Sequence, residues 1–317
     1  MKTYLAQRLA VALVTLFGMS VVIFVLLRLA PGDIVDILFS TAGYVDPEAR
    51  RTIMRELGID RPLAVQYGDW IWQILHGELG KSYRYDLPTW EIIKPLLPVT
   101  LELALLSIIV AVLLGVPTGV ISAVRQDSVL DYVLRVMSLA GLSMPSFWLG
   151  MVIILGLVAW LRWIPPMTYV PPSQNLALNA VQFLLPALAV GYRSSALIMR
   201  ITRSSVLEVL REDYIRTARA KGQAPRAVVW RHAFRNAMLP VVTVIGIEFA
   251  FLIGGLIVTE SVFNLPGVAR FLVDAILWRD YPMVQNLVMF IAIVVILSNL
   301  AVDMLYGLLD PRIRYGR

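Results

Sequence analysis

Six stretches of this chain run almost without charge, at 9–27, 103–124, 136–161, 181–201, 240–263 and 283–302, and polar segments of very unequal length separate them. A helix needs about 20 apolar residues to cross the hydrocarbon core of a bilayer. The pattern therefore predicts an all-α, polytopic membrane protein with six transmembrane helices. The first stretch follows Lys2 and Arg8, as the apolar region of a secretory signal would. It is long for such a region, however, and continues into RLAPGD with no small-x-small cleavage pattern, so it is expected to stay as a span. Arg193 interrupts the fourth stretch, Glu248 stands inside the fifth, and the sixth is clean.

Lys and Arg in the short connections set the orientation. Both ends are basic, with Lys2 and Arg8 at one and Arg312, Arg314 and Arg317 at the other, which places both termini in the cytoplasm. The 125–135 connection and the very basic 200–240 segment fall on the same side. The connection at 162–179 has one basic residue, and that at 260–282 has two against three acids, as expected outside. A long extracytoplasmic loop then follows the first span, with room for short amphipathic helices near 47–58 and 66–77 whose apolar faces suit the bilayer surface or a pore rim.

Composition agrees. Of 317 residues 58% are hydrophobic and 16% charged, with mean hydropathy +0.74, far too apolar for a soluble domain. The net charge of +6 is interleaved with long uncharged runs, so membrane lipid rather than nucleic acid is the expected partner. The absence of cysteine excludes disulfides, thiolate metal sites and cysteine nucleophiles. His76 and His232 are too far apart for a metal motif and read as polar surface residues.

The segment DYIRTARAKGQAPRAVVWRHAFRNAMLP, 213–240, has more grammar than a positive-inside anchor requires. Residues 213–221 can be helical, Gly222 stands where a helix stops, and Pro225 suits the first residue of a second helix. The small residues Ala218, Ala220 and Gly222 gather near the bend. A compact basic knob of this kind suits docking into a cleft of a cytoplasmic partner.

These residues resemble the permease subunits of binding-protein-dependent ABC importers, in the branch that carries peptides, dipeptides, nickel and glutathione. RTARAKG (216–222) and AMLP (237–240) occupy the two ends of that superfamily's cytoplasmic-loop motif, although no Glu stands at its start and the spacing from Gly222 to Pro240 is longer. RLAPGD (28–33), VFNLPGVARFLVDAILWRDYP (262–282) and LLDPRIRYG (308–316) fit the same branch in the same order. The resemblance implies an import permease that is not itself an enzyme. No G-x-x-x-x-G-K-[ST] loop is present. The chain would bind no cofactor or metal, and ATP and Mg would belong to two cytoplasmic ATPase subunits. A second related permease and an extracytoplasmic solute-binding protein would complete the assembly. By the same resemblance, the cap in 1–98 helps receive the binding protein, 99–308 is a five-helix core with its coupling loop at 200–240, and 309–317 is a cytoplasmic tail. Asp213, Arg216, Thr217, Ala218, Arg219, Ala220, Lys221, Gly222 and Pro240 would form the ATPase-coupling loop. Ala218 and Gly222 would give close packing, and Arg216, Arg219 and Lys221 would pair with acidic groups.

Within the spans, Glu248 is costly in hydrocarbon unless paired, protonated or facing water. It either lines the translocation path or pairs with Arg193. Arg193 is the second candidate for the translocation path, although it lies about two turns from Arg200, within snorkelling reach of the cytoplasmic flank, which favours an interfacial role. Asp303 is expected to pair with Arg312. Gly115, Pro117 and Gly119, with Gly141, Pro145 and Gly150, read as helix-packing positions or as kinks, and packing is the simpler account. The same choice applies to GIEFAFLIGG (246–255). Trp160, Trp163 and Tyr169 suit an outer aromatic belt. A proton-coupled secondary transporter using Glu248, or an intramembrane enzyme using Glu248 and Asp303, are the alternatives. The first would call for an inverted repeat, which is not evident, and the second for a nucleophile or base beside the carboxylates. The solute is not legible in the residues.

Overall fold

In a computed structural model the described residues are 2–30, 32, 34–40, 47–166 and 168–309, and among them helix is the only regular structure apart from one bridge between Lys81 and Pro88. Along the chain run α1 (Lys2–Leu29), α2 (Ile34–Ser40), α3 (Pro47–Glu56), α4 (Leu63–Leu75), α5 (Thr89–Ile93) and α6 (Leu97–Val124). Then come α7 (Val129–Ser143), α8 (Ser146–Gly156) with a π turn at Leu157–Leu161, and α9 (Leu176–Leu210). The remainder is α10 (Asp213–Ala220), α11 (Pro225–Ala227), a π segment (Val228–Ala233), α12 (Phe234–Gly255), α13 (Ile257–Val262), α14 (Val268–Leu277) and α15 (Tyr281–Leu309). The Pro31 and Asp33 positions of RLAPGD, and residues 310–316 of the C-terminal motif, lie outside the described residues.

Five helical stretches are long and apolar enough to cross a membrane, and a bent pair makes six if it counts as one span. That pair is α7 with α8, which meet at 102°. Pro145 explains the bend: it cannot continue the helix, and it forces Met144 into an extended conformation (φ −92°, ψ 127°). The run expected as one third span is thus a broken helix. Around the break the glycines serve packing. A Cβ on Gly141 would meet the Tyr192 ring at 3.2 Å, and one on Gly150 the Phe263 ring at 2.7 Å.

The chain folds as two units, one of Met1–Val99 with Pro266–Val294, the other of Thr100–Leu265 with Val295–Arg317. In the first, Leu27, Ile93, Val268, Ala275, Tyr281, Met283, Val284 and Leu287 form the core. Phe24 of α1 packs edge-on against Tyr67 (5.2 Å) and stacks on Trp70 (6.2 Å), which seats α4. Asp280 is 2% exposed and anchors the 82–84 turn: it accepts from the Ser82 hydroxyl (2.5 Å), the Tyr83 amide (3.2 Å) and the Met283 amide (3.3 Å). A buried carboxylate is tolerable here because donors surround it.

In the second unit α9 is the central helix. Bilayer-spanning helices associate by close packing of small residues rather than by hydrophobic burial, and α6 and α9 follow that rule from both sides. A Cβ on Gly191 would stand 2.7 Å from the Ser107 carbonyl oxygen, one on Gly115 2.7 Å from the Ser195 carbonyl, and one on Gly119 2.7 Å from the Met199 carbonyl. These backbones touch, so the glycines have no room for a side chain. At 35 residues, α9 reaches about 52 Å at 1.5 Å per residue, well beyond the roughly 30 Å hydrocarbon core. Its C-terminal turns therefore continue past the span as a rigid arm.

Candidate functional site

The basic segment folds as a helical hairpin. Leu210 ends α9, Arg211 and Glu212 turn the chain, and α10 begins at Asp213 with an acid in its first turn and Arg219 in its last, both complementing the helix dipole. Thr217 Oγ1 donates to the Asp213 carbonyl (3.0 Å), and Arg216 pairs with Asp213 on the exposed face. Such an exposed pair contributes little to stability. The apolar positions of α10 are three apart and share a face: Ile215 and Ala218 are buried with Val228 and Ala233, flanked by Val209 and Leu210.

Gly222 closes α10 at φ +75°, donating to the Arg219 carbonyl (3.0 Å), while the Gln223 amide donates to the Ala218 carbonyl (3.3 Å). This paired reverse bonding is the Schellman end of a helix, which selects glycine for its left-handed backbone. A Cβ at Gly222 would meet nothing within 4 Å, so conformation rather than crowding within this chain selects glycine. Pro225 is the first residue of the next helix. Two side-chain clips cross the hairpin: Asn236 Nδ2 donates to the Tyr214 hydroxyl (2.7 Å), and the ring Nε2 of His232 bonds Gln223 Oε1 (2.6 Å). His232 thus holds the hairpin closed.

The second arm does not stop at the loop. Helix runs from Pro225 to Gly255 through the π segment, so the hairpin and the fifth span are one continuous rod. Pro240 is exposed within it and removes one backbone donor. Of the expected coupling residues, Asp213, Arg216, Thr217, Arg219, Ala220, Lys221 and Gly222 face outward on the hairpin. Ala218 is 7% exposed and turned inward, where its small side chain seats α10 on its own hairpin.

Glu248 is half-buried on α12 and Arg193 is exposed on α9, and no ion pair or hydrogen bond joins them among the described residues. Asp303 is half-buried in α15, while Arg312 lies outside the described residues. Among the described residues no group of three or more His, Asp or Glu side chains is placed to hold a metal ion.

One arrangement behind the hairpin escaped the sequence reading. Asp131, fully buried in α7, accepts from Arg203 of α9 through both oxygens, Nε to Oδ1 at 2.9 Å and Nη2 to Oδ2 at 2.7 Å. The Ser122 hydroxyl of α6 and the Asp127 amide (3.0 Å) complete its shell. This brace ties α6, α7 and α9 together about two turns before the hairpin. The only signal in the sequence was an acid, Asp131, in the short 125–135 connection just ahead of the third apolar run, while Arg203 was hidden among many basic neighbours.

Comparison with known proteins gives this geometry a family. The profile described as "Binding-protein-dependent transport system inner membrane component" matches residues 115–315, and its N-terminal companion matches residues 1–104. The di/tripeptide transport system permease protein DppB of Pseudomonas aeruginosa (strain UCBPP-PA14) is 41% identical over 337 aligned positions, covering all of both chains. The dipeptide transport system permease protein DppB of Escherichia coli (strain K12) is also 41% identical over 342, again with full coverage of both. Among solved structures, an inward-facing form of the MetNI methionine ABC transporter superimposes with a TM-score of 0.55 at 17% identity, covering 70% of this chain and 98% of that one, a likeness of fold. The chain therefore belongs to the family of inner-membrane components of binding-protein-dependent transport systems, as a multi-pass permease of the inner membrane.

Proposed function

We propose that this chain moves peptides or similar small solutes inward, beside a second, related permease subunit. Two cytoplasmic ATPase subunits would supply the energy, and an extracytoplasmic solute-binding protein would deliver the solute to the cap built from residues 1–98. The chain itself catalyses nothing, and ATP and Mg belong to its partners. The observation that carries this reading is the hairpin: a basic outer face on α10, clipped shut, with α9 and the Pro225–Gly255 rod rising from it as two stiff arms. A displacement of α10 by closing ATPases would tilt both arms as rigid bodies, the kind of motion that alternates access across a membrane. Both termini and the hairpin then lie in the cytoplasm. Peptide is favoured as solute because the two full-length relatives carry di/tripeptide and dipeptide in their names.

The test is ATP-driven peptide uptake in vesicles holding the whole assembly, with Gly222→Asp and Gly222→Asn compared. Both side chains enter open space within this chain, and both residues tolerate a left-handed backbone better than others do. Fold is therefore expected to survive in both. Asp adds a negative charge on the docking face and should cut uptake and ATPase retention together, about five- to thirtyfold for a lost coupling of one to two kcal/mol, while Asn should keep most of both. Equal and full uptake by the two variants would remove the hairpin from the coupling path.

A further inference from the structure

A cleft of about 1000 Å³ opens in the second unit between α7, the C-terminal half of α9 and the first turn of α10. The two long helices are antiparallel here, since Asp131 pairs with Arg203 while Ser138 donates to the Ala196 carbonyl (2.9 Å). The lining residues therefore fall in an order. Val136, Leu139 and Leu142 make an apolar strip on α7, Arg135 and Arg200 stand beyond it, and Asp213 and Arg216 of α10 close the far end. Val136 and Leu139 are 66% and 63% exposed, so this chain leaves the strip uncovered.

Charge decides what fits. Arg203 is neutralised by Asp131, and Arg216 by Asp213. Arg135 and Arg200 form no ion pair among the described residues, and the acids Glu208 and Glu212 lie towards the elbow, next to Arg211. An apolar strip ending in two uncompensated guanidinium groups, at the end of membrane-crossing helices, has the amphiphilic order of a phospholipid. Guanidinium matches phosphate in shape and charge, and basic pockets between spans on the cytoplasmic side suit anionic headgroups.

We infer that this cleft binds an anionic phospholipid of the cytoplasmic leaflet, its phosphate between Arg135 and Arg200 and an acyl chain along Val136, Leu139 and Leu142. The inference rests on the cytoplasmic placement of the hairpin proposed above. Because Asp213 and Arg216 line the same cleft, a bound headgroup braces the first turn of α10 and makes coupling sensitive to membrane composition.

The experiment uses the whole transporter, purified in mild detergent and offered equal amounts of phosphatidylglycerol and phosphatidylcholine, with retained lipid counted by native mass spectrometry. The wild type should hold phosphatidylglycerol in preference, Arg135→Gln should reduce that preference about fivefold, and Leu139→Trp, which fills the chain slot, should lower retention of both lipids. Lys81→Gln, which removes an exposed charge of the other unit, should leave it unchanged. Equal retention of the two lipids by the wild type overturns the inference, and so does a preference that survives Arg135→Gln. If Arg135→Gln instead releases the ATPase subunits in lipid-free detergent, the cleft is a protein-docking surface and the lipid assignment falls. Peptide uptake in phosphatidylcholine vesicles separates this from the transport reading. Uptake without any lipid preference sinks only the lipid site, whereas absence of uptake in every membrane sinks the transport proposal.

Discussion

Replacing Asp131 with Ala should be among the most damaging single changes in the second unit. The carboxylate is fully buried, and its partner Arg203 is 19% exposed, so neither charge is well solvated once the other is gone. Removal strands four donors: two from Arg203, the Ser122 hydroxyl and the Asp127 amide. Breaking one side of a buried pair typically costs about 3–5 kcal/mol, most of it from the charge left behind. Asp131→Asn keeps one acceptor but turns an amide donor towards other donors, and should cost about 2 kcal/mol, the penalty of leaving a buried polar group unmatched. The decisive variant is the double Asp131→Ala, Arg203→Met, which removes the stranded charge and should return stability to within about 1–2 kcal/mol of wild type. Dodecyl sulfate titration of the purified chain in mild detergent reads all three, and a double-mutant cycle isolates the pair. A single-variant loss below about 1 kcal/mol would place the pair with exposed ion pairs of little worth. A double variant no more stable than Asp131→Ala would show that the cost is a cavity rather than an unpaired charge. Either result refutes the brace.

Other outcomes follow from the same contacts. Gly119→Val pushes a branched side chain into the Met199 carbonyl and Thr202, and should cost roughly 1–3 kcal/mol as overpacking, whereas Gly254→Ala, with open space around it, should be nearly silent in the same titration. Ile215→Ala should loosen α10 by about 2–5 kcal/mol through the cavity it leaves under the hairpin, read as faster proteolysis at 216–222 with the spans intact. The Tyr83 phenol is pushed up to about 12, by burial first and by Asp280 among lesser causes. Because the folded value lies above the usual one near 10, folding favours the neutral phenol. Its stabilisation is complete below pH 10 and is lost as pH rises towards 12, so Tyr83→Phe should flatten that limb of a stability–pH curve. A limb unchanged by the substitution would show that other groups cause it.

Local chemistry was readable without coordinates. Apolar run length announced the spans, because a bilayer leaves backbone groups nothing to bond except one another. The end of α10 was legible too, since Gly222 and Pro225 act through their own backbone conformations and a few neighbouring carbonyls. What the tertiary structure alone decided depends on residues far apart in the chain. Ala218 is as small as Ala220, and only the packing of Val228 and Ala233 turns it inward. Asp131 meets Arg203 across 72 positions, and Ser82 meets Asp280 across 198. Nothing in the order of residues ranks Arg203 above its basic neighbours, because a guanidinium is distinguished by what faces it. Hydropathy likewise sees apolar length and not direction, so the 102° turn at Pro145 and the continuous rod through Pro240 emerge only in three dimensions. Backbone preference is local and is written in the residues themselves, whereas partner choice is non-local and waits for the fold to bring the partners together.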